Sequence, residues 1–242
     1  MTYLIRLSFV GTAYCGWQKQ KNGPSVQEQV FGAVTRVFGG AERFSGCSRT
    51  DSGVHALDYC VSFSVSGSLP PEKVVAALNA YLPPDIAVRS AIVVPEGFHA
   101  RYDVKQKTYL YRIDPSPVRS PFLTNRAWHR PGNYDLSLMN EAADRLVGTY
   151  DFSSFMAAGS KITDPVRTVY RAVFTEKDGL LEFSVSANGF LYHMVRIIVG
   201  TLVDVPSRFS SADLSAVLAA RDRTRAGVTA PACGLYLAQV EY

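Results

Sequence analysis

The chain has 242 residues, 47% of them hydrophobic and 19% charged, which places it with globular rather than disordered proteins. No apolar run approaches the roughly 20 residues of a membrane-spanning helix, and Cys15, Cys47, Cys60 and Cys233 lack the spacing of a zinc site or a disulfide framework, so a soluble protein of a reducing cytoplasm is expected. A net charge of +4 is too small to name a partner by itself.

Residues 2–10 alternate, with Tyr3, Ile5, Leu7 and Phe9 on one side and Arg6 and Ser8 on the other, the period of a half-buried strand. Arg6 inside this run argues against a signal peptide. Ser25 with Glu28 makes a capping box, opening a helix that carries Val26, Val30, Ala33, Val34 and Val37 and stops at Gly39-Gly40. Residues 46–56 read Gly-Cys-Ser-Arg-Thr-Asp-Ser-Gly-Val-His-Ala, a turn holding a guanidinium, a carboxylate and a histidine between two strands. Gly53 can take backbone angles closed to other residues, so the turn can push Asp51 into a cleft; equally, Asp51 can cap its own backbone and pair with Arg49 at the surface. Beyond it, Tyr59, Val61, Phe63 and Val65 alternate with Cys60, Ser62, Ser64 and Ser66, which predicts a strand with one apolar face. Pro70-Pro71 starts a helix through Val74, Val75 and Leu78, Pro83-Pro84 closes it, and residues 86–94 read as a strand.

A polar connector at residues 101–106 divides the chain into an N-terminal half, residues 1–104, and a C-terminal half, residues 105–242. Residues 107–113 alternate as a strand, and Asp135 caps a helix with Leu138, Met139, Ala142, Ala143 and Leu146. Residues 168–174 and 180–187 form a hairpin through Asp178-Gly179. Leu191, Met194, Val195, Ile198, Val199 and Leu202 make a helical stripe, with His193, Arg196 and Gly200 on the opposite side. That side reads as a solvated polar face, although a lone cation such as Arg196 on an apolar helix wants an anion. Residues 212–219 give a short helix and residues 235–242 a closing strand.

Residues 101–134 hold seven cations (Arg101, Lys105, Lys107, Arg112, Arg119, Arg126, Arg130) against Asp103 and Asp114, a local charge of +5, interleaved with Tyr102, Tyr109, Tyr111, Phe122 and Trp128. Such a mixture suits phosphates and unstacked bases, or is an ordinary solvated face. There is no phosphate loop, dinucleotide fingerprint or His-Glu-x-x-His, and Asp51 with His55 lacks a third metal ligand, so no metal is assigned. One carboxylate beside arginines, with aromatics and basic surface, fits a reaction at a nucleotide that needs no external cofactor.

These motifs carry a resemblance. Arg49-Thr50-Asp51 with Gly53-Val54-His55 resembles the catalytic turn of the pseudouridine synthases, in the branch that modifies the anticodon arm of tRNA, the tRNA pseudouridine synthase A family. Tyr14-Cys15-Gly16-Trp17-Gln18-Lys19-Gln20, Ser25-Val26-Gln27-Glu28, the run from Leu78 to Ile86, Phe98-His99-Ala100-Arg101-Tyr102, Lys107-Thr108-Tyr109 and Phe190-Leu191-Tyr192-His193-Met194-Val195-Arg196 with Gly200 are similar to its other motifs, in the same order. Ser48 stands where the family usually has Gly, and Ser52 where it often has Ala.

The resemblance implies an α+β fold: two halves related by a pseudo-twofold, their strands joined into one largely antiparallel central sheet flanked by helices, with the catalytic cleft between them. It implies isomerisation of uridine to pseudouridine at positions 38, 39 and 40 of tRNA, by a cytoplasmic homodimer without metal or organic cofactor. Asp51 is then the catalytic carboxylate, a nucleophile at C1′ or a base at C2′, assisted by Arg49, Arg196 and Tyr109. Substrate binding falls to Tyr109, Lys107, Lys105, Arg101, His55 and His193. The competing expectations are a silent RNA-binding protein and a synthase acting on other uridines.

Overall fold

Alternation and capping build the elements predicted for them in the computed structural model, which describes residues 1–160, 162–205 and 207–242. In chain order they are β1 (Thr2–Phe9), α1 (Val26–Phe38), β2 (Glu42–Gly46), β3 (His55–Ser64), α2 (Pro71–Asn79), β4 (Ile86–Val94), β5 (Gln106–Asp114), β6 (Trp128–His129), α3 (Leu136–Asp144), β7 (Gly148–Asp151), β8 (Val166–Lys177), β9 (Leu180–Ala187), α4 (Met194–Leu202), α5 (Ser211–Ala220) and β10 (Leu235–Glu241). Five α-helices with ten mixed, largely antiparallel strands, counted among the described residues, make this an α+β fold, as expected. The chain divides into two units, Met1–Lys105 with Tyr236–Tyr242, and Gln106–Leu235.

In the first unit β1 lies between β4 and β3, antiparallel to both, and β2 pairs with β3. Tyr3, Ile5 and Leu7 are fully buried, and Phe38 at the end of α1 meets Tyr3 and Phe63. Both arms of the Ser25–Glu28 capping box form, and Gly39 at φ 80° ends α1. The second face of β3 departs from expectation, because it is buried rather than solvated: Cys60 is 0%, Ser62 2% and Asp58 7% exposed. Chain from later in the sequence covers it. The Ala100 amide donates to Ser62 Oγ (3.0 Å), and Tyr242 donates to the Ala100 carbonyl (2.8 Å).

The same cover relocates the closing strand, which the sequence assigns to the C-terminal half. From Tyr236 onward β10 belongs to the first unit, where Tyr236 and Leu237 pair in parallel with His55 and Ala56. Asp58 is the anchor. Its carboxylate accepts from Arg6, from Arg89 (2.7 Å) and from the Val240 amide (3.2 Å), while Arg6 also donates to the Val240 carbonyl (3.1 Å). A carboxylate this buried costs free energy unless it is fully paired, so Val240 becomes part of the solution.

In the second unit β5, β9, β8 and β7 follow one another antiparallel, with the short β6 parallel to β5. Asp178 (φ 51°) and Gly179 (φ 75°) supply the two positive angles of the predicted hairpin turn. The Asp135 side chain caps α3 by accepting from the Leu138 amide (3.0 Å). The predicted polar face of α4 is not solvated. Gly200 and Thr201 are buried, and a Cβ on Gly200 would stand 1.9 Å from the Val228 carbonyl oxygen, so the helix packs its glycine directly on backbone.

Asp58→Ala removes the acceptor shared by Arg6, Arg89 and Val240. It is expected to lower unfolding stability by about 3 kcal/mol, read as a fall in the urea midpoint. An unchanged midpoint would show that the cluster does not anchor β10.

Candidate active site

Asp51 sits half-buried on a turn that is fixed from outside itself. The Val54 amide donates to the Asp51 carbonyl (3.2 Å), and Gly53 takes φ 79°. The segment Tyr14–Trp17 then grips the turn at three points: Trp17 N–H to the Thr50 carbonyl (3.3 Å), Gly53 N–H to the Tyr14 carbonyl (3.3 Å), and Ser52 Oγ to that same Tyr14 carbonyl (3.2 Å). Gly16 makes the approach possible. It has φ +92°, and a Cβ there would lie 2.2 Å from the Thr50 carbonyl oxygen. Behind the turn Tyr59 donates to the Ser48 carbonyl and stacks on Trp17 at 4.2 Å. The Tyr14 hydroxyl donates to Asp85 (2.8 Å), and its burial and that carboxylate push its pKa well above the ordinary tyrosine range.

Two details bear on the departures from the family pattern. Neither Ser48 nor Ser52 has a positive φ, so neither position demands glycine, and Ser52 adds a bond to the clamp. Arg49 is exposed, and among the described residues no hydrogen bond or ion pair joins its guanidinium to Asp51. The surface Arg49–Asp51 pair considered from sequence does not form, and Arg49 points its charge at solvent.

The second unit gathers Tyr109, Tyr111 and Arg196. Tyr109 on β5 is 6% exposed and meets Phe190 edge-on at 4.9 Å. Tyr111, two residues along the same face, donates to the Pro231 carbonyl (2.7 Å). Burial pushes its hydroxyl pKa up, while the nearby Arg196 charge opposes the shift. Arg196 is doubly tied to Ala230: Nε donates to its carbonyl (2.7 Å) and the Ala230 amide donates back to the Arg196 carbonyl (3.0 Å). The Gly200 contact, together with Gly227 packed on the Gly200 carbonyl, holds α4 close enough for this exchange. His193 is not on the face of α4. It is the residue before the first turn, in the left-handed conformation (φ 57°), with its ring against Tyr192 at 3.9 Å.

Other sequence candidates separate. His55 is 1% exposed, accepts from the Gly11 amide at Nδ1 (3.0 Å) and lies against Tyr236 at 4.7 Å, so it braces the exit of the Asp51 turn and β10. The basic stretch is not one patch. Arg112 pairs with Glu182 (2.8 Å), and Arg130 with Asp204 (2.5 Å) and the Val203 carbonyl (2.9 Å), whereas Arg101 and Lys105 are exposed and Lys107 is half-buried. The roles of Tyr14, Trp17, Tyr59 and Tyr111 escaped sequence reasoning; the first two lay in a motif whose signal was family pattern without an evident chemical task. Among the described residues no group of three or more His, Cys, Asp or Glu could hold a metal ion.

Comparison with known proteins identifies the family. The family model described as tRNA pseudouridine synthase matches residues 6–103 and 142–242. Proteins named tRNA pseudouridine synthase A from Thermoanaerobacter sp. (strain X514) and Clostridium acetobutylicum are each 42% identical, over 99% and 98% of this chain and 98% of their own. One from Methylacidiphilum infernorum is 40% identical over 99% of this chain and 95% of its own. The α+β scaffold and the family match make this an RNA-modifying isomerase, and the chain belongs to the tRNA pseudouridine synthase family.

Gly16→Ala tests the clamp. The added methyl must displace the Thr50 carbonyl, and a shift of that order at the neighbouring carboxylate is expected to cost about 100-fold in isomerase turnover, with the fold retained by circular dichroism. Turnover equal to the parent's would mean that the clamp does not position Asp51.

Proposed function

We propose that this chain converts uridine to pseudouridine at positions 38, 39 and 40 of tRNA, with Asp51 as the catalytic carboxylate. The observation that carries the reading is the Asp51 turn: its backbone is fixed by Tyr14–Trp17 and Tyr59 while its side chain stays half exposed, the preorganisation a catalytic group needs. The reaction breaks the C1′–N1 bond, turns the freed base and joins C5 to C1′, after which the C5 proton leaves; there is no net redox change. Asp51 must be ionised for either route, attacking C1′ or removing a proton from C2′. Tyr109 offers its ring to the extracted base, and Arg196, held by Ala230, supplies a fixed cation to the reaction. Arg49, exposed on the turn, takes the place the base vacates or the phosphate beside it. Lys107, Lys105, Arg101 and His193 complete the contacts to tRNA. Family membership is the ground for reading both sets of residues as parts of one reaction, and it also supports a cytoplasmic homodimer. Among the described residues the four cysteines form no disulfide, which accords with a reducing compartment.

Asn matches Asp in shape but lacks its charge. Asp51→Asn is expected to bind tRNA at least as tightly as the parent, since an anion near phosphate is gone, while release of label from C5-tritiated tRNA falls by at least about a thousandfold. Label release near the parent's rate would remove Asp51 from the mechanism, and a parent that binds tightly yet releases none would be a silent binder.

Tyr109→Phe is expected to keep tRNA affinity, and Tyr109→Ala to lose about tenfold. Equal losses in a filter-binding titration would exclude stacking by this ring.

A further inference from the structure

Residues 99–105 of the first unit form a rigid display for one aromatic ring and two cations. His99 organises the turn. Its Nδ1 accepts from the amides of Arg101 (3.1 Å) and Tyr102 (3.3 Å), and its carbonyl accepts from the amides of Tyr102 and Asp103 (both 3.1 Å). With Nδ1 used as acceptor, Nε2 carries the proton and faces Ser45 Oγ at 3.2 Å. The His99 amide in turn donates to the Asp103 carboxylate (2.8 Å), which commits one oxygen of the acid in this turn. The turn is moored by Ala100 to Ser62 and Tyr242, and by the Lys105 amide to the Glu241 carbonyl (2.9 Å). So many bonds leave the backbone little freedom.

Three of its side chains face outward. Tyr102 lies against the His99 ring, centroids 4.2 Å apart and 29° between planes, and is nevertheless 76% exposed. Arg101 and Lys105 are exposed, and among the described residues neither side chain makes a hydrogen bond or ion pair. A large ring kept open to water and backed by a second ring is a stacking surface already ordered, so a ligand base need not meet the entropy of freezing it. A cation on the adjoining residue and another three residues beyond Tyr102 match the phosphates on either side of one nucleotide.

We propose that Tyr102, backed by His99, is a platform on which an unpaired base of the bound tRNA stacks, with Arg101 and Lys105 on its flanking phosphates. The proposal rests on tRNA being the substrate. It selects an unpaired nucleotide over a base-paired stem, because a base inside a duplex has both faces already occupied.

The test uses the full chain and a short RNA hairpin carrying 2-aminopurine at successive loop positions. The parent and Tyr102→Phe are expected to quench the fluorophore at one loop position. Tyr102→Ala should abolish that quenching and weaken hairpin binding about tenfold, with affinity for a fully paired duplex unaltered. Arg101→Gln should reduce the salt slope of hairpin binding by about one. Quenching indifferent to Tyr102→Ala, or a duplex weakened as much as the hairpin, would overturn the platform. The two readings fail separately. Normal release of C5 label with quenching indifferent to Tyr102 leaves the isomerase and removes the platform; Tyr102-dependent quenching by a parent that releases no label does the reverse.

Discussion

The approach of the Gly16 backbone to the Thr50 carbonyl is the contact on which the carboxylate turn depends. A turn of a few residues has little packing of its own, and a carboxylate near phosphates has reason to move away from them. The chain answers by bringing a second segment into van der Waals contact with the backbone of the turn, at a distance where no Cβ fits. Tyr14 and Trp17 then use their main-chain groups on Thr50 and Gly53 while their rings are buried, so the hydrophobic core of the unit fixes the clamp. Tyr59 closes the other side by placing its hydroxyl on Ser48 from a fully buried ring. Asp51 is thus carried on a loop but positioned by a core.

The second unit solves a similar problem with a helix. Arg196 would swing freely on a solvated surface; here α4 is pressed by Gly200 onto the backbone at Val228, and the reciprocal bonds between Arg196 and Ala230 follow from that proximity. Tyr111, hydrogen-bonded to Pro231, holds the same segment from the strand side. The Arg196 cation and the strand that bears Tyr109 are in this way referred to one stretch of chain, residues 230–231. Close glycine contacts recur at both places because only backbone against backbone leaves so little room for drift.

Buried polar groups also decide which segments are recruited. Asp58 and Ser62 sit on a face of β3 that water could have served, yet each is met by chain from far along the sequence, Val240 and Ala100. Once those partners are in place, the turn at residues 99–103 is moored and its side chains Arg101 and Tyr102 are left facing outward. The stability of the first unit and the display of these exposed groups therefore share hydrogen bonds.

The sequence by itself determined what acts over a few residues: the capping box at Ser25, the stop at Gly39, the Asp178-Gly179 hairpin, the alternation of β1 and β5, and the order of motifs that marks the family. These depend on backbone angles and local donors, which residue type specifies directly. Only the tertiary structure decided whether a polar side chain meets water or protein. His55 and His193 look alike in sequence, but one is a buried brace and the other begins a helix in a left-handed conformation. Arg112 and Arg130 count as phosphate ligands in a tally of charge and are bound to Glu182 and Asp204, whereas Arg49 and Arg101 are exposed. The closing strand joins the first unit because a carboxylate 182 residues earlier needs its amide. Partners separated by that much chain leave no periodic trace, since the pairing is set by where the fold brings each segment and not by what precedes or follows it.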